Sequence, residues 1–239
     1  VKDWYEEWFG EEYLALYPHR DDEEAREVAA LIAGRIDVPA GAPALDLGCG
    51  SGRHQRALAE RWWTVGLDLS HLLLHVARGE DRNAALVRAD MRQLPFAGGS
   101  FSLVTNLFTS FGYFRDDAQH TRVVAEVARV TRKGGWLVLD YLNAPHVRES
   151  LISFDRHKQG SRVIEQTRQI SIDGRFIRKT ITVCDEDREF IERVRLFEPE
   201  ELRAMLERGG FDVVEILGAY DGRPRDDDSP RAILIGARR

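Results

Sequence analysis

The stretch "ALDLGCGSGRH", residues 44–54, decides how the rest of the chain is read. An apolar run carrying one acid, Asp46, opens into glycines at alternate positions, Gly48, Gly50 and Gly52. The run reads as a buried strand and "RHQRALAER" as the helix after it, so the glycines fill a strand-to-helix turn. Glycine there lets backbone approach a ligand closely and take positive φ without steric cost. The following helix adds free N–H groups and the positive end of its dipole. Both features suit a nucleotide or nucleoside. The dinucleotide fingerprint G-x-G-x-x-G is not met, because its third glycine would fall on Arg53. The pattern is instead D-x-G-x-G-x-G, a poorer seat for a pyrophosphate.

On either side of this turn the chain alternates. "AREVAALIAG" (25–34) places Ala25, Val28, Ala29 and Ile32 on one helical face, with Gly34 as a stop. "WTVGLDLS" reads as a second strand, with Ser70 as N-cap of a helix over "HLLLHVARG". "ALVRAD" is a third strand and "SFSLVTNLFTS" a fourth. A helix with Val123, Val127 and Val130 on one face follows, and then "TRKGGWLVLDYLN" as a fifth strand. Such alternation implies a parallel sheet covered on both faces, with every strand's C-terminal end on one edge. Ligands bind at that edge. From about residue 151 the helices stop. "RVIEQTRQIS", "RFIRKTITVC" and "EFIERVRLF" read as three antiparallel strands, joined by turns at Asp173-Gly174 and "DEDRE". Pro199 then opens a helix over "EELRAMLERGG", and "FDVVEILGAY" and "RAILIGARR" complete the first sheet.

Two further acids narrow the ligand. Asp68 ends the second strand, where a carboxylate can accept both ribose hydroxyls. Asp90 ends the third, where it can accept from an adenine amine while the Met91 N–H faces a ring nitrogen. Each acid alone is more often a cap or turn residue. Signals at three successive strand ends point jointly to a nucleoside site.

The chain resembles the class I S-adenosylmethionine-dependent methyltransferases. The resemblance rests on "ALDLGCGSGRH", "VGLDLS", "RADMRQLPF", "FSLVTNLFTSFGYF" and "RKGGWLVLDYLN" in that order over about 44–143, and on "LRAMLERGGFDVVEILG" near the end. It implies an α/β, Rossmann-like, doubly wound sheet of seven mostly parallel strands with the last antiparallel. The small antiparallel three-strand insertion lies after strand five. That insertion is too short for an independent core, so one methyltransferase domain is expected over 1–239, with residues 1–40 as a helical cover and 151–197 as a lid. The resemblance also implies S-adenosylmethionine (SAM) as cofactor and S-adenosylhomocysteine as product. Gly48 and Gly50 would approach the methionine portion, Asp68 would hold ribose, and Asp90 and Met91 would read adenine. Asp46, Cys49, Leu69, Asn106 and Leu107 complete the expected cofactor set. There are departures. After strand four stands "NLFT" (106–109) rather than the Asp/Asn-Pro-Pro-Tyr of many adenine-N6 and glutamine methyltransferases. Trp62 and Trp63 stand where a small residue and an aromatic are common, and His71 where proline is frequent.

Composition bounds the rest. A net charge of −6 argues against broad nucleic-acid binding, which needs a basic face. Residues 1–30 hold ten acids against three bases and read as a solvated helix face. No run approaches the roughly 18 apolar residues of a membrane span. The first residues lack a secretion-signal pattern, so a cytoplasmic setting is expected. The two cysteines, Cys49 and Cys184, form no zinc-like spacing and read as small hydrophobes. His71 and His75 are four apart on a helix, but no third metal ligand is visible, so no metal is expected.

The SAM sulfonium is a strong electrophile, so the protein must align a nucleophile and exclude water. A base is needed only if the nucleophile arrives protonated. Candidate catalytic residues are Tyr113, Tyr17 and His19. Candidate substrate residues are Tyr17, Arg20, Phe111, Tyr113 and Tyr141. Aromatic walls exclude water and can hold an amine, although such residues more often pack the core. The leading reading is methyl transfer to N or O of a small-molecule acceptor by a monomer or homodimer. An RNA or protein methyltransferase would need a basic docking face, and residues 151–195 hold ten Lys/Arg against eight Asp/Glu. A nicotinamide oxidoreductase is disfavoured by the glycine spacing. A non-reacting binding module is disfavoured by the intact Asp68 and Asp90.

Overall fold

Apolar runs long enough for buried strands alternate with amphipathic helices over most of the chain, and the structure follows them. The computed structural model describes residues 3–17 and 22–239. Helices α1 (Trp4–Trp8), α2 (Glu11–Leu16) and α3 (Asp22–Arg35) come first. Then follow β1 (Pro43–Leu47), α4 (Arg53–Ala59), β2 (Trp63–Asp68), α5 (His71–Glu80) and β3 (Ala85–Arg88). β4 (Phe101–Asn106), α6 (Asp117–Val130), β5 (Thr131–Leu142) and α7 (Ala144–Ser150) continue the chain. β6 (Phe154–Gln159), β7 (Arg162–Ile170), β8 (Phe176–Val183) and β9 (Arg188–Arg195) form a second group. α8 (Pro199–Arg208), β10 (Phe211–Leu217) and β11 (Arg231–Arg238) complete the order.

Seven strands form one sheet in the order β10-β11-β5-β4-β1-β2-β3. β11 runs antiparallel to both its neighbours, and the pairs from β5 to β3 are parallel. This is the doubly wound sheet with an antiparallel last strand that the sequence implies. β4 is buried at every position, as a central parallel strand covered on both faces must be. One core cluster joins Leu45, Leu67 and Val104 to Val123 and Val127 of α6 and Leu202 and Leu206 of α8. Another joins Leu103 and Val138 to Val28 and Ile32 of α3 and Leu58 of α4. Trp62 belongs to the latter, and its indole N–H donates to the Val38 carbonyl (3.3 Å). Trp63 is 60% exposed, so the paired tryptophans are one core residue and one surface residue. Ser70 caps α5 as expected, its hydroxyl accepting from the Leu73 N–H (3.2 Å). α3 runs through the anticipated stop at Gly34 to Arg35.

The insertion has four strands, not three, in the order β6-β7-β8-β9 and all antiparallel. The extra strand, β6, reads "FDRHKQ" and is largely exposed. An edge strand with no buried face needs no apolar alternation, so its sequence carries none. Among the described residues, no helix is long and apolar enough to cross a membrane.

The two sheets meet at Gly112. The Arg195 N–H donates to the Gly112 carbonyl (2.7 Å), and the Tyr141 hydroxyl donates to the Arg195 carbonyl. Gly112 has φ +90°, and a Cβ there would overlap the Tyr141 hydroxyl. Gly112→Ala therefore combines overpacking with backbone strain. It should destabilise the fold by about 1–3 kcal/mol, read as an earlier urea midpoint. An unchanged midpoint would show that this junction is slack.

Candidate active site

The glycine turn is fastened to the end of β2. The N–H groups of Gly48 and Cys49 both donate to the Leu67 carbonyl (2.7 and 3.0 Å). The Gly50 N–H donates to Asp68 Oδ2 and the Ser70 N–H to Asp68 Oδ1, each at 2.8 Å. Each Asp68 oxygen thus holds one backbone donor and keeps acceptor capacity for a second. Burial raises the Asp68 pKa, against the lowering effect of those N–H groups. Gly50 has φ +55°, and a Cβ added there would touch only Leu73 Cδ1, at 3.9 Å. The space in front of Gly50 is therefore open, and it belongs to a cavity of about 860 Å³.

Gly48, Cys49, Gly50, Asp68, Leu69, Asp90, Met91 and Leu107 all line this cavity, as do Tyr17 and Tyr113. Asp46 and Asn106 stand behind its wall. Asp46 is buried; its Oδ1 accepts from the Thr105 hydroxyl (3.0 Å), and its Oδ2 has no hydrogen-bond partner. The Asn106 amide donates to the Leu47 carbonyl (2.7 Å), tying the end of β4 to the end of β1. Phe111 and Tyr141 do not line the cavity, which corrects their expected place at the substrate. Both are buried in the core against Phe197, and the Tyr141 hydroxyl is taken by Arg195. His19 and Arg20 lie outside the described residues. His71 lines the cavity rim and His75 is exposed on α5.

Asp90 is gripped by Arg92, whose Nε lies 3.0 Å from both carboxylate oxygens and whose Nη2 is 2.6 Å from Oδ2. Burial works to raise the Asp90 pKa, but hydrogen bonds and charge from Arg92 outweigh it and hold the group below the usual carboxylate range. The Arg92 guanidinium lies over the Phe114 ring at 4.8 Å.

The loop after β4 carries features that the sequence reading did not identify. Phe108 and Thr109 have φ of 54° and 62°, the left-handed region that side chains disfavour. Asp140 of β5 holds them: its Oδ2 accepts from the Phe108 N–H (2.8 Å) and its carbonyl from the Thr109 N–H (3.1 Å). The Tyr220 hydroxyl also donates to Asp140 Oδ2 (2.8 Å). Arg231 bridges Asp140 Oδ1 (2.7 Å) and the Thr109 hydroxyl (3.0 Å). The Phe108 ring lies 4.5 Å from the Arg53 guanidinium and 5.7 Å from that of Arg231. All except Asp140 and Tyr220 line the cavity. A signal existed. An antiparallel last strand must begin at the ligand edge, and Arg231 is its first residue.

The N-terminal helices and the second sheet close the other side. Tyr113 packs against Trp4, Tyr5 and Phe9. Ser70 Oγ donates to the Phe9 carbonyl (2.7 Å). From the second sheet, Ile177, Lys179, Glu192 and Val194 reach the cavity. Glu192 accepts from Trp8 Nε1 (2.8 Å) and the Tyr17 hydroxyl (3.0 Å), and Lys179 donates to the Tyr17 hydroxyl (2.6 Å).

An open glycine turn, a ribose-type acid beside it and an acid at the next strand end define a Rossmann-like enzyme with a site for an adenosine-bearing cofactor. The family described as "Methyltransferase domain" matches residues 44–135. The chain is 30% identical to the dTDP-3-amino-3,6-dideoxy-alpha-D-glucopyranose N,N-dimethyltransferase of Streptomyces fradiae, over 84% of this chain and 81% of that relative. It is similar to the SAM-bound structure of CalS10, an amino pentose methyltransferase from Micromonospora echinaspora (25% identity, TM-score 0.69, 96% and 97% of the two chains). It is also similar to the sugar N-methyltransferase KedS8 from Streptoalloteichus (26% identity, TM-score 0.70, 96% and 94%). The chain belongs to the class I SAM-dependent methyltransferases, and SAM is its cofactor.

Asp46 makes stability depend on pH. Burial pushes its carboxyl up to about 7, well above the roughly 3.9 of a free aspartate. The folded state therefore binds this proton more tightly than the unfolded state. The stabilisation is complete below about pH 4 and is lost as pH rises through about 7. In cofactor-free protein the full loss should be on the order of 4 kcal/mol, of which about 2–3 kcal/mol falls between about pH 5 and about pH 8. Asp46→Asn should remove this slope, measured by urea unfolding from about pH 5 to about pH 8. A variant with the parental slope would place the proton elsewhere.

Proposed function

We propose that this enzyme methylates the amino nitrogen of a nucleoside diphosphate-linked amino sugar. The observation that carries this reading is one cavity running from the glycine turn to the second sheet, in a chain similar over 84% of its length to an amino-sugar N,N-dimethyltransferase and over 96% to a sugar N-methyltransferase. Its volume of about 860 Å³ suits a cofactor with an acceptor beside it. When bound, SAM supplies an electrophilic methyl group on a sulfonium. Gly50 leaves open room for its methionine portion beside Gly48 and Cys49, and Leu69 and Leu107 flank it. Asp68 accepts from the ribose hydroxyls. Asp90 accepts from the adenine amine while still paired with Arg92, and Met91 presents its N–H. Asp46 and Asn106 act indirectly, holding the ends of β1 and β4.

The acceptor amine would attack the methyl carbon in its neutral form, in line with the C–S bond that breaks, so that S-adenosylhomocysteine would leave as a neutral thioether and the methylammonium product would give its proton to solvent. Tyr17 and Tyr113 are the hydroxyls that hold and orient it, and the aromatic wall of Trp4, Tyr5 and Phe9 keeps water out. Phe111 and Tyr141 support this wall from the core. We take residues 1–239 as one methyltransferase unit, with 1–40 as cover and 151–197 as lid. A cytoplasmic setting fits its two unpaired cysteines.

Three measurements test this. Calorimetry should show S-adenosylhomocysteine binding more tightly than NAD, and the reverse would sink the cofactor assignment to these residues. Asp68→Ala should lose about 1–3 kcal/mol of that binding, and Gly50→Val should abolish it without unfolding the protein. Incubation with SAM and thymidine diphosphate amino sugars should yield mono- and dimethylated amines by mass spectrometry. Methylation only of acceptors without a nucleotide would overturn the acceptor class. For the lid, hydrogen exchange in residues 4–16 and 151–197 should slow on adding S-adenosylhomocysteine with an acceptor, at every protein concentration. Protection that tracks protein concentration and ignores ligand would make these segments a subunit interface instead.

A further inference from the structure

Strand register places the residues of the second sheet in cross-strand rows. Ile170, Ile177 and Val194 form one row, and Gln166, Ile181 and Phe190 another. Between them on the same face stand Arg168, Lys179 and Glu192, directly opposite one another on β7, β8 and β9. All three line the cavity. Their apolar neighbour Ile181 is fully buried with Trp8 and Tyr13. A row of charges thus interrupts an otherwise largely apolar face at the point where that face meets the cavity.

The order within the row matters. Like charges directly opposite on antiparallel strands have Cβ atoms only about 4.5–5.5 Å apart and destabilise the pair. Arg168 and Lys179 are such a pair. Glu192 does not cancel them evenly, since it lies beside Lys179 alone and also serves Trp8 and Tyr17. Each cation is steadied from its flank. Arg168 donates to Asp155, Gln166 and the Ile152 carbonyl at the outer edge. Lys179 donates to the Tyr17 hydroxyl and lies 5.0 Å from the centre of its ring. Among the described residues, the other charged groups at the cavity are Glu6, Glu7, Asp68 and Asp90, with Arg53, Arg88 and Arg231. Arg231 pairs with buried Asp140 and Arg53 with Glu24 (2.8 Å), as Arg168 does with Asp155; what sets Arg168 and Lys179 apart is that two cations stand directly opposite each other.

We propose that Arg168 and Lys179 form an acceptor subsite for the diphosphate of a nucleoside diphosphate sugar, a reading that rests on the acceptor class proposed above. Oxygens of one diphosphate placed between the two cations turn their repulsion into charge-assisted hydrogen bonds. The guanidinium offers a planar fork and the ammonium a point charge. Held on the second sheet, this remote group orients the sugar amine toward the glycine turn and lends binding energy to alignment.

The test uses the full chain saturated with S-adenosylhomocysteine and titrated in a calorimeter with thymidine diphosphate, inorganic pyrophosphate and thymidine. Thymidine diphosphate and pyrophosphate should bind, and thymidine should bind at least about tenfold more weakly than its diphosphate. Lys179→Met and Arg168→Met should each weaken the diphosphate at least about tenfold and leave S-adenosylhomocysteine affinity unchanged. Glu192→Gln removes the row's only negative charge and should tighten diphosphate binding a few-fold, which keeps the proposal testable if a cation variant unfolds. Equal binding of thymidine and its diphosphate would overturn the subsite. So would loss in Arg88→Met or Arg231→Met with none in the row variants, or no gain in Glu192→Gln. If the row binds diphosphate but no nucleotide amino sugar is methylated, the acceptor class fails and the anion subsite stands. If such a sugar is methylated while row variants bind diphosphate normally, the subsite alone fails.

Discussion

The hydrogen bond from the Gly50 N–H to the Asp68 carboxylate (2.8 Å) is the contact on which the cofactor side depends. It joins the turn after β1 to the end of β2, and the paired donation of Gly48 and Cys49 to the Leu67 carbonyl reinforces it. A turn held this way cannot close over the open space in front of Gly50. The acid proposed to hold the ribose is also the acid that shapes the loop. Its two roles are compatible because each carboxylate oxygen accepts from one backbone donor and has a further lone pair for a second.

This constraint explains why so much of the cofactor half was legible. A parallel sheet forces strand ends together, so glycines and acids that are twenty residues apart in sequence must share one edge. Asp68, Asp90 and the glycines needed only that rule, and they line one cavity. Asn106 and Asp46 obeyed it too, but strand ends have two sides. Both turn into the sheet, where Asn106 holds Leu47 and Asp46 meets Thr105. The same period-two alternation separates Leu142, at the cavity, from its neighbour Tyr141, in the core. Knowing that a residue ends a strand did not say which way it faced.

The second sheet was less legible for a different reason. Its first strand carries no apolar alternation, and its functional content lies in cross-strand register, which no single strand encodes. Arg168, Lys179 and Glu192 are unremarkable in three separate polar stretches. They become a row only when two hairpins set them opposite one another. Asp140 and Arg231 are similar: ninety-one residues separate them, and their partnership is visible only once β11 lies antiparallel beside β5.

The cover over the cavity is likewise assembled from distant segments. Glu12 of α2 pairs with Arg162 (3.0 Å) and Arg188 (2.6 Å), and the Gln159 amide donates to the Ala15 carbonyl (2.8 Å). Exposed pairs of this kind contribute little individually. The stronger bond is apolar, since Trp8 and Tyr13 are buried with Ile164, Ile181 and Val183 of the second sheet. The same helices are also buried on the main sheet's side: Leu73 of α5 shares the cluster of Trp8 and Tyr13, Tyr5 lies in the main core against Phe114, and Phe9 meets Ser70. Helices α1 and α2 therefore bridge the second sheet and the ligand edge of the main sheet, and the proposed lid combines them with the second sheet. In the proposed arrangement the cofactor rests on the main sheet, and the acceptor meets residues that this composite cover supplies. That division is why a glycine motif names the cofactor so readily and is silent about what receives the methyl group.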